Sequence, residues 1–213
     1  MWQKGAASGV AIAGGNGGGE ELNKLRYSDS LFVYEKTNTL YVSDTLHNRI
    51  LNFTNGSSDG ITVAGQQGDE SSAKILSRRP TNVFVDDCET LYVADTAYDR
   101  IQNFLKGSFG DITVAGGYGE GSNASQFNQP WTVKLDQYNN MYIVDTFNGR
   151  IQKWGPNDSA GVTIICGNGF RDKPNQLWFS YSLALDSEGN IFVSDLGNRR
   201  IQKFNILSET NSC

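Results

Sequence analysis

Apolar residues in this chain come in runs of four to six, rich in Val, Ile, Tyr and Phe, separated by Gly, Asn, Asp and Ser. That alternation of runs and breakers predicts short strands joined by turns. No stretch keeps an apolar residue at every third or fourth position, so no helix is expected. Runs such as Leu91-Tyr92-Val93-Ala94 are apolar at successive positions, not alternate ones, and therefore need cover on both faces of their sheet.

The runs repeat. LYVSDTLHNRI begins at Leu40, LYVADTAYDRI at Leu91, MYIVDTFNGRI at Met141 and IFVSDLGNRRI at Ile191. In each copy an Asp is followed five residues later by an Arg: Asp44 and Arg49, Asp95 and Arg100, Asp145 and Arg150, Asp195 and Arg200. A second motif recurs in phase, with GVAIAG ending at Gly14, GITVAG at Gly65, DITVAG at Gly116 and VTIICG at Gly167. A period near fifty residues marks a repeat architecture in which each unit buries its sheet against its neighbours. Strands are expected near Val83 to Asp86, Leu91 to Ala94, Arg100 to Phe104 and Ile112 to Ala115, with analogues elsewhere. Four short strands per unit, covered on both faces, predict an all-β propeller. The units read as about 9–59, 60–110, 111–160 and 161–204, with 205–213 as a tail.

Together these motifs resemble the NHL repeat over nearly all of residues 9 to 204. The third unit carries the pattern most fully, through Gly116, Gly117, Gly119, Phe127, Asn128, Pro130, Asp136, Tyr142, Asp145, Asn148, Arg150, Ile151 and Gln152. Departures are Asp29 and Ser180 at the proline position and Glu35 after the first strand of unit one. The resemblance implies blades of four strands in a propeller of five or six blades, with the outer strand first in each unit. Four copies then form either a closed ring or an open arc of a larger propeller. Trp2 precedes Gly9 by the interval that separates Trp154 from Gly161, so residues 1–8 read as the end of a preceding blade. Val10 to Ala13 is expected to be an outer strand, able to complete the last, three-stranded unit if the ring closes.

Composition narrows the function. Lys plus Arg number 18 against 23 Asp plus Glu, a net charge of −5, which argues against a broad nucleic-acid footprint. No apolar stretch approaches the roughly 18 residues of a membrane span. Three cysteines, Cys88, Cys166 and Cys213, are too few and scattered for a disulfide framework, and they leave the compartment open. A single histidine, His47, cannot build the multi-histidine zinc centre of the amidating-lyase propellers that the fold resembles. The glycine stretches at 14–19 and 116–121 lack the Lys-Ser/Thr and following helix of a phosphate loop. Asp86, Asp87, Asp136 and Asp186 offer oxygen ligands that suit calcium, but strand-end turns also collect Asp. The four Asp/Arg pairs read as fold residues, with Asp accepting backbone N–H bonds in the tight turn and Arg pairing across it.

Recognition is expected on the loops, which the repeats leave variable. The segment before each innermost strand differs in every unit and brings Arg78, Arg79, Trp131, Trp178 and Tyr181 toward the mouth of the central channel. Exposed aromatics beside arginines are the chemistry of a protein-binding hot spot. The leading expectation is a non-enzymatic scaffold that binds a protein or peptide and needs no cofactor. The alternatives are a metal-dependent hydrolase or lyase with a site in the channel, and an RNA-binding or ubiquitin-ligase substrate-recognition domain of the NHL class. The zinc-binding RING of such ligases has no counterpart in this sequence.

Overall fold

A computed structural model describes residues 8–54, 56–65, 79–107, 110–166, 173–174 and 176–205. Among the described residues fifteen strands make four antiparallel sheets. The first holds β1 (Ser28–Tyr34), β2 (Thr39–Asp44), β3 (Arg49–Thr54) and β4 (Ile61–Ala64). The second holds β5 (Pro80–Val85), β6 (Leu91–Asp95), β7 (Arg100–Phe104) and β8 (Asp111–Gly116). In the third are β9 (Pro130–Leu135), β10 (Met141–Asp145), β11 (Arg150–Trp154) and β12 (Val162–Cys166). The fourth has three strands, β13 (Ser180–Leu185), β14 (Ile191–Asp195) and β15 (Arg200–Phe204). Each sheet is a propeller blade. The innermost strands β1, β5, β9 and β13 pack side by side in that order.

The period-fifty motifs explain the blades locally. After the second strand of blades one to three the chain makes one 3-10 turn, closed by a residue in the left-handed region, Asn48, Asp99 or Gly149. Asn, Asp and Gly are the residues that reach that conformation at least cost. Between blades lie apolar clusters such as Ala94, Ile101, Ala115, Val133, Leu135, Met141 and Ile143. The sheets run out of phase with the sequence units. The outer strand β4, at the start of unit 60–110, pairs with β3 of unit 9–59.

Two expectations need correction. Val10–Ala13 belongs to no strand, so it does not complete the fourth blade. A strand needs a hydrogen-bonding edge beside it; Ala13 instead packs with Leu25 against Val42, Leu51 and Phe53 of blade one. The described residues form four blades, as the four sequence copies predict, and not the five or six that the resemblance implies for a whole propeller. The expected end of a preceding blade and the tail lie outside the described residues, apart from Ser8 and Asn205.

Repeat-equivalent positions show how the arc ends. Ile50, Ile101 and Ile151 are 0% exposed, because the next blade covers each, while Ile201 in the same place on β15 is 70% exposed. At the other end Leu31 on β1 is 63% exposed, against 0% for its equivalents Val83 and Val133 and 2% for Leu183. Among the described residues both terminal blades thus keep one face open. Among the described residues, β1 and β13 form no interface like those that join successive blades.

Candidate functional site at the axial mouth

The Asp/Arg motif builds the mouth of the axis: Arg pairs with Asp across the turn as expected, but the carboxylate's backbone partner is not the turn. The carboxylate makes no capping bond to the 3-10 turn. Instead its Oδ1 accepts a backbone N–H from the segment ahead of the innermost strand: Arg26 to Asp44 and Asn128 to Asp145 at 2.7 Å, and Trp178 to Asp195 at 2.7 Å. Its Oδ2 accepts the Arg Nε at 2.7 to 2.8 Å in all four blades. The arginine then grips the same segment. Arg49 donates to the carbonyls of Glu20, Glu21 and Lys24, and Arg150 to those of Ser122, Asn123 and Gln126. The tight turn is already closed by its own backbone, so the buried carboxylate, fully desolvated, takes the unpaired N–H that the loop presents. The repeated pair therefore anchors the variable loop to the scaffold. The His47 side chain, only 6% exposed, adds an Nδ1 contact to Asp44 at 2.9 Å.

The loop ends on one residue in the left-handed region immediately before each innermost strand: Tyr27, Arg79, Gln129 and Phe179. Such backbone costs an ordinary side chain of order 1 kcal/mol and persists where neighbours hold it. Here the preceding blade does so. The Arg79 N–H donates to Asn48 Oδ1 and the Gln129 N–H to Asp99 Oδ1, both at 2.8 Å. Each blade is then stitched to the next innermost strand from its 3-10 turn, Thr45 Oγ1 donating to Pro80 O, Thr96 Oγ1 to Pro130 O and Thr146 Oγ1 to Ser180 O, while Thr132 Oγ1 on β9 donates to Tyr181 O on β13.

On this rigid base three of the expected residues meet. The Arg79 guanidinium lies over the Trp131 ring, 5.1 Å from its centroid, and Trp131 meets Tyr181 edge-on at 4.6 Å. Arg79 is exposed, and the two rings are half-buried. Trp178 lies apart. It stacks on Phe179 at 5.9 Å, Phe179 meets Phe147 at 5.4 Å, and the Trp178 ring leaves room only for glycine at position 197. Arg78 lies outside the described residues.

Below the mouth is a feature the sequence reading missed. Phe32, Phe84, Lys134 and Ala184 occupy equivalent places on the four innermost strands. Phe32 and Phe84 meet edge-on at 5.0 Å, and the Lys134 ammonium lies 5.9 and 5.7 Å from their ring centres. Burial pushes the Lys134 amine below its usual value. One level higher the wall is polar: Asn82 Nδ2 donates to Ser30 Oγ, and the Val133 N–H donates to Asn82 Oδ1. The available signal was alignment of the repeats, where a lysine replaces a residue that is apolar in the other three.

The acidic turns behave as turns. Oδ1 of Asp86, Asp136 and Asp186 each accepts two backbone N–H bonds from the four residues that follow. Asp87 pairs with Lys36 at 2.6 Å. No group of three His, Cys, Asp or Glu gathers among the described residues. A cleft of about 610 Å³ between blades three and four, at the far end of the strands, is lined by Asp136, Tyr138, Tyr142, Lys153 and Asp186. There burial and the neighbouring Asp136 carboxylate push the Tyr142 hydroxyl up to about 12.

The architecture is that of a β-propeller protein. No family model matches the chain, and no curated protein does. Solved structures do. An auxiliary nutrient binding protein from Bacteroides thetaiotaomicron superposes with a TM-score of 0.65 at 14% identity, over 86% of this chain and 49% of that one. A gluconolactonase from Xanthomonas campestris gives 0.63 at 15% identity, covering 86% and 60%. A nidogen/laminin complex gives 0.62 at 13% identity, covering 87% and 62%. At these identities the likeness shows the fold alone. This chain spans between about half and three-fifths of their lengths. The set includes a binding protein and an enzyme, and no helix among the described residues is long and apolar enough to cross a membrane.

Proposed function

We propose that the chain is an NHL-type propeller scaffold that recognises a peptide segment of a protein partner at the axial mouth. The observation that carries this reading is the stack of Arg79, just before β5, on Trp131 of β9, which meets Tyr181 of β13. A guanidinium already seated on a tryptophan loses little freedom on binding, and two half-buried rings bury further apolar area when a chain lies across them. The Asp/Arg anchors and the inter-strand Thr bonds hold these groups before any partner arrives, which lowers the ordering cost of association. Outward-turned variable loops on a rigid frame are where binding surfaces are built.

The test is a peptide array probed with the wild-type chain and with a Trp131→Ala, Tyr181→Ala double variant. A discrete set of peptides bound by the wild type and lost in the variant is expected, with far-ultraviolet circular dichroism unchanged. Binding that survives the double variant would move recognition away from the mouth. Metal analysis after dialysis addresses the enzymatic alternative: a stoichiometric zinc or calcium ion would favour channel chemistry over a scaffold.

A further inference from the structure

We propose that Arg79 and Lys134 together receive the carboxylates of an acidic peptide that enters the axis past Trp131; this rests on the peptide reading above and names the chemistry of its ligand. Among the described residues, eight cations are matched to carboxylates. The four motif arginines hold Asp44, Asp95, Asp145 and Asp195, and Lys24, Lys36, Lys106 and Lys203 face Glu21, Asp87, Glu89 and Asp186. Lys134 is the inward-facing exception. Its ammonium is half-buried against the faces of Phe32 and Phe84, and no carboxylate among the described residues forms an ion pair with it. The Arg79 side chain likewise rests on a ring face, that of Trp131, and no carboxylate among the described residues forms an ion pair with it.

Acidic residues outnumber basic ones, 23 to 18, so the lack of a carboxylate at these two cations among the described residues is not for want of acid in the chain. A ring face only partly replaces the water that an ammonium gives up on burial. A carboxylate arriving from outside completes the replacement through charge-assisted hydrogen bonds, strengthened where water is scarce. The lowered amine of Lys134 reports that deficit.

The spacing suits a peptide better than a lone anion. Trp131, under Arg79, and Lys134 lie three residues apart on β9, about 10 Å at roughly 3.3 Å per residue. An extended peptide whose acidic residues stand three apart spans the same length. Its backbone passes the polar level of Ser30, Asn82 and Thr132, and its carboxylates meet the guanidinium above and the ammonium below. Ala184, at the matching place on β13, is small and exposed and leaves the fourth side of the axis open.

The experiment measures binding of acetyl-Glu-Ala-Ala-Glu-amide, its Gln-Ala-Ala-Gln twin and inorganic phosphate, read by tryptophan fluorescence at two salt concentrations. The acidic peptide is expected to bind at least tenfold more tightly than the twin, more weakly at high salt, and at least tenfold more weakly to Lys134→Met and to Arg79→Gln. Phosphate binding as tightly as the peptide would overturn the assignment of a peptide ligand. If array peptides bind through Trp131 while the acidic peptide binds no better than its twin, this proposal falls and the peptide reading stands. If no array peptide binds, both fall. A second readout needs no variant: acetylation of Lys134 by limiting acetic anhydride, followed by mass spectrometry, is expected to slow when the acidic peptide is present. Unchanged acetylation under saturating peptide would overturn the role of Lys134.

Discussion

The two equivalent isoleucines Ile151 and Ile201 allow one substitution to be read in two environments. Both follow the motif arginine, and both pair with the middle strand of their blade: Ile151 with Val144 and Ile201 with Ser194. Ile151 is 0% exposed and Ile201 70%. Truncation to alanine removes three carbons, about 2.4 kcal/mol of transfer free energy at roughly 0.8 kcal/mol per buried methylene. At Ile151 the lost packing adds a cavity cost, giving about 3 kcal/mol within the usual 2–5 range. At Ile201 less than a third of the side chain is covered, so about 0.7 kcal/mol is at stake, with no cavity to open. The expected gap is therefore about 2 kcal/mol. Urea unfolding of both variants, followed by circular dichroism, measures it, with comparison at constant slope because repeat arrays lose two-state behaviour readily. Equal losses at the two sites would show that the last blade's face is covered in solution and would refute the open-arc reasoning.

Three further outcomes follow from the site. Arg150→Met leaves the buried Asp145 carboxylate without its guanidinium and frees the carbonyls of Ser122, Asn123 and Gln126; a loss of about 3 kcal/mol is expected, with faster proteolysis between residues 117 and 129. Lys134→Met keeps the volume and removes a half-buried charge, so stability is expected to rise by about 1 kcal/mol at pH 7. Because the folded amine lies below its unfolded value of about 10.5, the wild type should gain stability as pH rises between the two values; the variant should lack that gain, and a matching pH profile would refute the placement. At Asp195 burial opposes the charge, but bonds from the Trp178 N–H, Asn198, Arg200 and Gln202 outweigh it and hold the carboxyl below its ordinary value of 3.8. Its contribution is present above that value and is lost as pH falls through the lower folded one, so Asp195→Asn should weaken the protein at pH 7 yet flatten its loss of stability below about pH 4 in thermal melts.

Peptides and channel chemistry aside, the scaffold explains why its motif residues recur. Asp44, Asp95, Asp145 and Asp195, read from the sequence as fold residues, are each 0% exposed and engaged on an arginine. What Arg49, Arg150 and Arg200 clamp is the segment ahead of the innermost strand of their own blade.

Repeat arithmetic determined the blades. Strands expected at Leu91 to Ala94 and Arg100 to Phe104 appear at Leu91–Asp95 and Arg100–Phe104, since a run of β-branched and aromatic residues between turn residues has no other satisfactory local structure. The meeting of Trp131 with Tyr181 and Arg79 was legible only as a shared position near the mouth; the contacts depend on how successive blades rotate about the axis. Val10–Ala13 shows the opposite case, a segment with a strand's composition and no strand, because pairing depends on an edge that local sequence does not supply. Lys134 belongs to the same class. Its chemistry was on the page as a single letter, but only packing of three innermost strands set its ammonium against Phe32 and Phe84 and away from every ion-pair partner among the described residues. Local pattern decides which backbone is extended and which turns, since those choices depend on residues a few positions apart. Which charges are left for a ligand depends on desolvation by residues fifty and a hundred positions away, and that is settled only when the blades assemble.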